Sequence, residues 1–257
     1  MKRYFIGIDS GSTMCKAVLY DRADSVVKDS KIIKTGWNPK LSATECLDAL
    51  LGKNNLRRED ISISTTGYGR EAVDFADYTF TEITCHGLGS LHLKPDIQGV
   101  IDIGGQDSKV IQTRGGKVVD FLMNDKCAAG TGRFLTMACS TIDVPLEDID
   151  NFAHPIPNEA ITINSMCTVF AESEIIGALA TQKDRAKILT GVLQSIARKI
   201  SQMTAKFDFE KDAALLMTGG LSRSQVLIGA ISHAVGVEVI THERAVFAGA
   251  IGACLCP

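Results

Sequence analysis

An internal repeat constrains the fold of this chain more than any other feature. The segment Phe5–Leu19 (FIGIDSGSTMCKAVL) aligns with Gln98–Gln112 (QGVIDIGGQDSKVIQ) at an offset of 93 residues, so that Asp9 corresponds to Asp102. Each copy shows an apolar strand that ends in Asp-x-Gly, a turn of small residues and a second alternating strand. The repeat therefore predicts two β-hairpins, each with a carboxylate beside its turn.

A second pair of matching segments follows the hairpins. Ile61–Arg70 (ISISTTGYGR) and Leu215–Arg223 (LLMTGGLSR) each combine a short apolar strand with Thr-Gly and a nearby arginine. From the hairpin aspartate to this threonine the chain runs 57 residues in the first half and 116 in the second. The second half therefore carries an insertion of about 59 residues, within a boundary uncertainty of a few residues.

Two further patterns predict helices. The capping-box sequence Ser42–Glu45 (SATE) precedes an amphipathic run. Apolar residues recur at helical spacing along a longer segment, at Ile188, Leu189, Val192, Ile196, Ile200 and Met203. Hairpins followed by helices and further strands, twice over, predict an α/β fold of two similar lobes with a nucleotide cleft between them. The polar stretch at Pro95 and Asp96 divides the chain into domains 1–95 and 96–257.

Composition and charge exclude several classes of protein. Apolar residues make up 45% of the chain and charged residues 22%, which is enough apolar material for a packed core. The formal net charge of −3 gives no electrostatic reason to expect nucleic-acid or anionic-membrane binding. The longest uncharged run, residues 224–237, is too short and polar to span a bilayer, and the first residues show no secretory signal. We expect a cytoplasmic protein whose eight cysteines are thiols or metal ligands.

The turn of each predicted hairpin suits the phosphates of a nucleotide. Backbone N–H groups and hydroxyls in such turns bind phosphate oxygens. The residues concerned are Gly11, Ser12, Thr13, Gly104 and Gly105. Asp9 and Asp102 can hold a hydrated Mg²⁺. Lys16 and Lys109 face either the strands or the phosphates, and spacing alone does not decide between these orientations.

The glycine pair after the second apolar strand completes the predicted nucleotide site. Gly219 and Gly220 allow the backbone to pass close to a nucleoside because glycine has no Cβ. The sequence contains no G-x-x-x-x-G-K-[ST] and no G-x-G-x-x-G after a strand, so a P-loop and a dinucleotide fold are unsupported. One Asp-x-Gly hairpin in isolation would indicate only a β-turn, and its duplication is what favours a phosphate site.

Cys127 and Cys167 lie in a setting that the other cysteines do not share. Each follows an asparagine by three residues, Asn124 and Asn164 respectively, and each precedes a predicted helix. If these asparagines are N-caps, both thiols lie in a first helical turn, where unpaired N–H groups and the helix dipole favour thiolate. Alternative caps are Asp125 and Ser165. On spacing alone, two buried or redox-idle cysteines remain the simpler interpretation.

The other six cysteines carry weaker signals. Cys15, Cys46, Cys139 and Cys254 fall beside apolar residues, as small buried hydrophobes do. The spacing of Cys254 and Cys256 does not suit a zinc knuckle, and Cys85 next to His86 favours core packing over a site.

Several separated motifs together resemble a known family. GIDSGSTMCKAVLY, IDIGGQDSKVI and LLMTGG are similar to the first phosphate, second phosphate and adenosine motifs of the superfamily of actin, hexokinase and the heat-shock-70 ATPases. TGYGR, TEITCHG, FLMNDKCAAGTGRFL, CTVFAESE and FAGAIGA resemble, nearly from end to end, the ATP-dependent activators of 2-hydroxyacyl-CoA dehydratases and their relatives in benzoyl-CoA reductase systems. The resemblance implies two ribonuclease-H-like lobes that bind and hydrolyse ATP.

The resemblance also implies a cofactor and partners. In that family the two motif cysteines, here Cys127 and Cys167, hold one [4Fe-4S] cluster that bridges a homodimer, which supplies the four thiolates such a cluster needs. The expected protein is an ATP-hydrolysing electron-transfer activase. It takes one electron from ferredoxin or flavodoxin and delivers it to a 2-hydroxyacyl-CoA dehydratase or a related iron–sulfur reductase. Gln106 or Asp107 would position the attacking water.

Two other functions fit the nucleotide motifs. A sugar-type small-molecule kinase of the same superfamily would need a catalytic aspartate facing a substrate hydroxyl, and it has no use for paired cysteines. A nucleotide-switched scaffold of the actin type predicts filaments without iron. Iron content after anaerobic purification separates both alternatives from the activator.

Overall fold

Both predicted hairpins are present in the computed structural model, which describes residues 2–153, 160–164 and 166–256. The chain divides into two compact units. Unit 1 comprises Met1–Asp96, Thr113–Asp120 and Arg244–Pro257, and unit 2 comprises Ile97–Gln112 and Phe121–Glu243. The C-terminal segment therefore belongs to unit 1, whereas the sequence places it in the second domain, 96–257.

Unit 1 is built on a five-stranded sheet in the order β3-β2-β1-β4-β5. Its strands are β1 (Tyr4–Ser10), β2 (Met14–Asp21), β3 (Val26–Lys34), β4 (Ile61–Thr66) and β5 (Tyr78–Thr79). Its helices are α1 (Pro39–Asn54), α2 (Glu82–Leu93) and the C-terminal α8 (Ala248–Leu255). β1 pairs antiparallel with β2 and parallel with β4, so the predicted hairpin and the following apolar strand share one sheet.

Successive side chains of β1 and β2 point to opposite faces of this sheet, and apolar side chains pack on both faces. Ile6 and Ile8 pack in the cluster that contains Leu47 of α1, whereas Phe5 packs in the cluster that contains Ile251 of α8. Because side chains alternate between faces along a strand, Asp9 lies on the face of Phe5, toward α2 and α8.

Most of a second five-stranded sheet, in the order β10-β9-β6-β7-β8, belongs to unit 2, and the end of β7 and the start of β8 lie in the unit 1 segment Thr113–Asp120. The strands of this sheet are β6 (Gly99–Ile103), β7 (Ser108–Arg114), β8 (Lys117–Asn124), β9 (Ala214–Gly219) and β10 (Glu238–Ile240). The helices between β8 and β10 are α3 (Gly132–Thr141), α4 (Ile149–Phe152), α5 (Thr168–Ala180), α6 (Arg185–Thr204) and α7 (Gln225–Val235). The predicted long helix is α6, and all six of its periodic apolar residues are buried.

The two sheets have the same topology, as the sequence repeat predicts. In each sheet the first hairpin strand lies between its antiparallel partner and a parallel strand. The parallel strand is β4 in one sheet and β9 in the other. One helix, α1, lies between β3 and β4, whereas α3, α4, α5 and α6 lie between β8 and β9. The insertion therefore corresponds to the segment between β8 and α6, which includes α3 to α5 and contains both Cys127 and Cys167.

One predicted helix start is wrong. α1 begins at Pro39 with Asn38 as its N-cap, and the Asn38 side chain accepts from the backbone N–H groups of Lys40 and Leu41. Ser42 lies inside the helix, where its hydroxyl donates to the carbonyl of Pro39. Pro39 suits the first position of a helix, so the helix starts one turn before the capping-box pattern at Ser42. Among the described helices, none is long and apolar enough to cross a membrane.

Candidate functional site

The first hairpin contains a buried carboxylate that forms an ion pair with a lysine. Asp9 pairs across the hairpin with Lys16, and Lys16 Nζ lies 3.1 Å from Asp9 Oδ2 with both side chains buried. The backbone of Gly67, at φ +94°, passes the other oxygen so closely that a Cβ there would lie 2.7 Å from Asp9 Oδ1. Only glycine tolerates both this approach and this φ.

The second hairpin repeats this arrangement around Asp102. Lys109 Nζ lies 3.4 Å from Asp102 Oδ2 and 2.7 Å from Asp107 Oδ2. Thr218, opposite Asp102 on β9, donates its hydroxyl to Asp102 Oδ1 at 2.8 Å. Gly219 has φ +85°, and a Cβ there would lie 2.9 Å from the same oxygen. In both hairpins the lysine contacts a carboxylate of its own hairpin.

The two glycines assigned to the nucleoside differ in their surroundings. Gly219 is buried against β6, and a Cβ there would lie 2.3 Å from the carbonyl oxygen of Ile103, so packing alone requires glycine. Gly220 is exposed and has no atom within 4 Å of its Cβ position. Of the pair, Gly220 is the residue with room beside it for a ligand.

Hydrogen bonds fix the turn of the first hairpin. Thr35, which follows β3, donates its hydroxyl to the carbonyl of Gly11 at 2.7 Å, and its backbone N–H donates to the carbonyl of Thr13 at 2.9 Å. Gly11 and Ser12 are half-buried and Thr13 is exposed, so the turn reaches solvent. This role of Thr35 was not predictable from the sequence, because nothing in its spacing connects it to the hairpin.

The second turn is bonded to the helix that follows Cys127. Gly104 N donates to the carbonyl of Asp107 at 2.9 Å, which closes the turn. The carbonyls of Gly104 and Gly105 accept from the backbone N–H groups of Gly132 and Arg133, both at 2.8 Å. These N–H groups belong to the first turn of α3, which lacks an intrahelical partner for them. The turn at 104–107 and the start of α3 are therefore one hydrogen-bonded unit.

Cys127 and Cys167 lie on neighbouring segments, and both thiols are half-exposed. Cys127 Sγ lies 3.6 Å from the carbonyl oxygen of Met166, the residue before Cys167. Asn164 Oδ1 accepts from the N–H groups of Met166 and Cys167, at 2.8 and 3.1 Å. The structure therefore brings together the two segments that the sequence singles out.

The predicted helix positions of these cysteines are partly wrong. Cys167 is itself the N-cap of α5, so it does lie at a helix start, although Asn164 is not the cap. Cys127 precedes Thr131, the N-cap of α3, by four residues, and the Asn124 side chain donates to the carbonyls of Cys127 and Ala129. The helix starts late because the turn at 104–107 supplies its acceptors. Asp125 is not a cap, and Ser165 lies outside the described residues.

The segment that begins beside Cys167 and continues into α5 exposes large apolar side chains. Met166 is 81% exposed, Val169 66%, Phe170 63% and Ile176 53%. Exposed apolar side chains grouped on one short segment are typical of a surface that another protein covers.

The other six cysteines are buried, as predicted for all of them except Cys256, for which the sequence excluded only a zinc knuckle. Burial raises the pKa of the Cys139 thiol to about 11 and also raises the pKa of the Cys254 thiol. Cys85 Sγ lies 3.8 Å from Cys256 Sγ, and this thiol contact together with burial raises the pKa of Cys85. Cys127 and Cys167 are therefore the accessible thiols of the chain.

Two thiolates are too few for an iron–sulfur cluster, which takes four protein ligands. Within the part of the chain that the structure describes, no three His, Cys, Asp or Glu side chains form a group that could hold a metal ion. The accessible pair fits such a cluster only if another chain adds the remaining ligands. The buried carboxylates of the hairpins have the hard oxygen donors that suit Mg²⁺.

Comparison with known proteins agrees with this geometry. Residues 6–256 match the model of the BadF/BadG/BcrA/BcrD ATPase family. Uncharacterized protein YjiL of Escherichia coli is 45% identical, over 97% of this chain and 95% of that protein. The (R)-2-hydroxyglutaryl-CoA dehydratase activating ATPase of Acidaminococcus fermentans is 37% identical, over 99% of this chain and 97% of that protein.

The solved structures agree as well. The activator of the 2-hydroxyisocaproyl-CoA dehydratase from Clostridium difficile, with bound ADPNP, superposes with a TM-score of 0.88 at 34% identity and covers 98% of this chain and 93% of that one. The predicted α/β fold of two similar lobes, and the resemblance to the activators, are confirmed.

Proposed function

The chain belongs to the BadF/BadG/BcrA/BcrD ATPase family, and on that premise we propose that it is an ATP-dependent one-electron activator of a 2-hydroxyacyl-CoA dehydratase or a related iron–sulfur reductase. The observation that carries the proposal is the pairing of Cys127 with the segment of Cys167 at an apolar surface. A family ATPase without this electron-transfer role would have no need for two accessible thiols there.

ATP and Mg²⁺ are proposed to bind at the two hairpins. Gly11, Ser12 and Thr13 contact phosphates at one turn, and Gly104 and Gly105 at the other, through backbone N–H groups and hydroxyls. Asp9 and Asp102 bind waters of Mg²⁺, which keeps most of its hydration shell in such sites. Lys16 and Lys109 hold these carboxylates in place and reduce the cost of burying them.

Gln106 is the better of the two candidates for positioning the attacking water. Asp107 Oδ2 lies 2.7 Å from Lys109 Nζ, so the Asp107 carboxylate is already in an ion pair. Gln106 is exposed on the same turn. Gly220, with open space beside it, contacts the nucleoside together with the backbone of Gly219.

Cys127 and Cys167 are proposed to hold one [4Fe-4S] cluster together with the same two residues of a second copy. A two-fold axis beside the pair supplies four thiolates from two chains. When bound, the cluster supplies a one-electron carrier. Met166, Val169 and Phe170 would be buried in this homodimer, which accounts for their exposure in the single chain.

The hydrogen-bonded unit of the second turn and α3 supports coupling between ATP and the cysteines. A change at the turn on ATP binding or hydrolysis displaces the carbonyls of Gly104 and Gly105 and, through them, the start of α3. Cys127 lies four residues before the N-cap of that helix. Nucleotide state can thereby bias two arrangements of the cysteine segment, as a switching ligand must. Ferredoxin or flavodoxin is the proposed electron donor, and the eight free thiols suit a cytoplasmic protein.

Anaerobic purification of cysteine variants tests the proposal. The wild-type protein should be a brown dimer with about four irons per two chains. Cys127→Ala and Cys167→Ala should lose the iron and retain ATP hydrolysis, whereas Cys139→Ala, which removes a buried thiol of α3, should retain both. Full iron content in Cys127→Ala would show that the ligands are elsewhere. A colourless wild-type protein that phosphorylates a sugar would support the kinase alternative.

A further inference from the structure

A histidine on α2 lies beside the carboxylate of the first hairpin. His86 Nε2 is 4.0 Å from Asp9 Oδ2, the same oxygen that Lys16 Nζ approaches at 3.1 Å. Both His86 and Asp9 are buried, at 4% and 3% exposure. At 4.0 Å the contact is electrostatic and steric and is too long for a hydrogen bond.

The C-terminal helix fixes this arrangement from a third side. A Cβ on Gly249 of α8 would lie 2.8 Å from His86 Nε2 and 3.1 Å from Asp9 Oδ2. The same helix packs on α2 without side chains in between, since Cβ positions on Gly89 and Gly252 would lie 1.8 Å from backbone oxygens of the facing helix. His86 and Asp9 are therefore enclosed by backbone, which leaves the imidazole little freedom to move away.

The internal repeat shows how the surroundings of the two carboxylates differ. In unit 2, Asp102 is held by a lysine and also by the hydroxyl of Thr218. Thr66 occupies the equivalent position opposite Asp9, but its buried hydroxyl makes no hydrogen bond to that carboxylate within the described structure. The first carboxylate thus lacks the threonine anchor of its counterpart, and His86 stands beside it.

We propose that His86 is a positioning residue for Asp9: it restricts rotation of the carboxylate so that an oxygen remains directed at the Mg²⁺ hydration shell. This inference rests on the proposed nucleotide site. Residues that orient a metal-binding carboxylate typically contribute about 10- to 100-fold to metal affinity or activity. A histidine that served only to fill the core would contribute to stability and not to metal affinity.

Paired substitutions at His86 separate these two roles. His86→Leu keeps most of the side-chain volume and removes the polar ring, whereas His86→Gln keeps a polar side chain beside Asp9. His92→Leu changes another histidine of α2, which contacts Tyr20 edge-to-face, and serves as the control. Mn²⁺ binding to the ADP-loaded protein, followed by electron paramagnetic resonance, reports metal affinity independently of turnover. ADP affinity without metal, kcat and KM for ATP, and thermal unfolding complete the measurements.

We expect His86→Leu to weaken Mn²⁺ binding about 10-fold and to lower kcat, with ADP affinity in the absence of metal unchanged. His86→Gln should recover most of both values, and His92→Leu should match the wild type. Equal behaviour of the Leu and Gln variants, in metal affinity or in failure to fold, would assign His86 to packing and overturn the inference. Failure of the wild-type protein to bind Mn²⁺ with ADP would instead refute the proposed nucleotide site itself.

Discussion

Thr218 illustrates how one hydroxyl holds a buried charge at the residue scale. Its Oγ1 donates to Asp102 Oδ1 at 2.8 Å, and both residues are nearly inaccessible to solvent. Thr218→Val keeps the shape and removes the donor, so it should lower the free energy of unfolding by about 1–3 kcal/mol, the usual cost of removing one partner from a buried polar pair. Urea denaturation of the metal-free protein measures this difference.

Thr136→Val provides the matched control for that experiment. Thr136 is exposed on α3, where its hydroxyl donates to the carbonyl of Gly132. Water replaces that donor at the surface, so the change should stay within about 0.5 kcal/mol. Equal effects of the two substitutions would show that the Thr218 hydroxyl does not stabilise Asp102.

Thiol accessibility gives a second test at the residue scale. In the metal-free protein, iodoacetamide at pH 8 should modify Cys127 and Cys167 well before the six buried cysteines. The pKa of Cys139 is raised to about 11, so its thiolate fraction at pH 8 is small and increases only as the pH approaches 11. Peptide mass spectrometry follows each site. Modification of Cys139 at the rate of Cys127 would contradict the burial that the structure shows.

Sequence alone identified the residues that the repeat carries and missed those that only the fold brings together. Asp9 and Lys16 were predictable because the duplication marks them twice. Thr35 and His86 were not, because they approach the first hairpin from β3 and from α2, and neither has a counterpart in the repeat.

At the scale of single elements, the start of α3 depends on a segment distant in sequence. Thr131, its N-cap, makes no side-chain capping hydrogen bond, and the acceptors for its first turn come from residues 104 and 105. Helix-start patterns look only at neighbouring residues, so they placed the N-cap of this helix at Asn124, seven residues before Thr131. The opposite error at α1, where Asn38 caps one turn before Ser42, arose because two capping patterns overlap.

Arg133→Pro tests whether the hydrogen bonds between the turn at 104–107 and the start of α3 transmit the nucleotide state to Cys127. Proline removes the N–H group that donates to Gly105 and is tolerated in the first turn of a helix, whereas Arg133→Ala retains that N–H group. In cluster-free wild-type protein and in cluster-free Arg133→Ala, adding MgADP should change the rate at which iodoacetamide alkylates Cys127. In Arg133→Pro that nucleotide dependence should be lost while ADP still binds. A nucleotide effect of wild-type size in Arg133→Pro would exclude this route.

At the scale of the whole molecule, duplication explains most of what could be predicted. Two sheets of the same topology follow from two matching hairpins and two matching strands, and the excess length of the second half marks the region of α3 to α5. The return of α8 to unit 1 was not predictable from the polar stretch at residue 95. It depends on glycines that let α8 approach α2 and β1, as at Gly7, where a Cβ would lie 1.9 Å from the carbonyl oxygen of Ala250.

The last prediction concerns the surface of the proposed homodimer. Phe170 is a large apolar side chain three residues after Cys167, exposed in the single chain and buried in the proposed dimer. Phe170→Glu would place a charge without a partner in that interface, so it should weaken dimerisation by about 2 kcal/mol or more, or about 30-fold, and lower the iron content with it. Tyr78→Glu, at a similarly exposed aromatic position in unit 1, is the control. Sedimentation velocity under anaerobic conditions measures both variants. If Phe170→Glu remains a dimer with full iron, the chains meet through another surface, and the shared ligation by Cys127 and Cys167 fails with it.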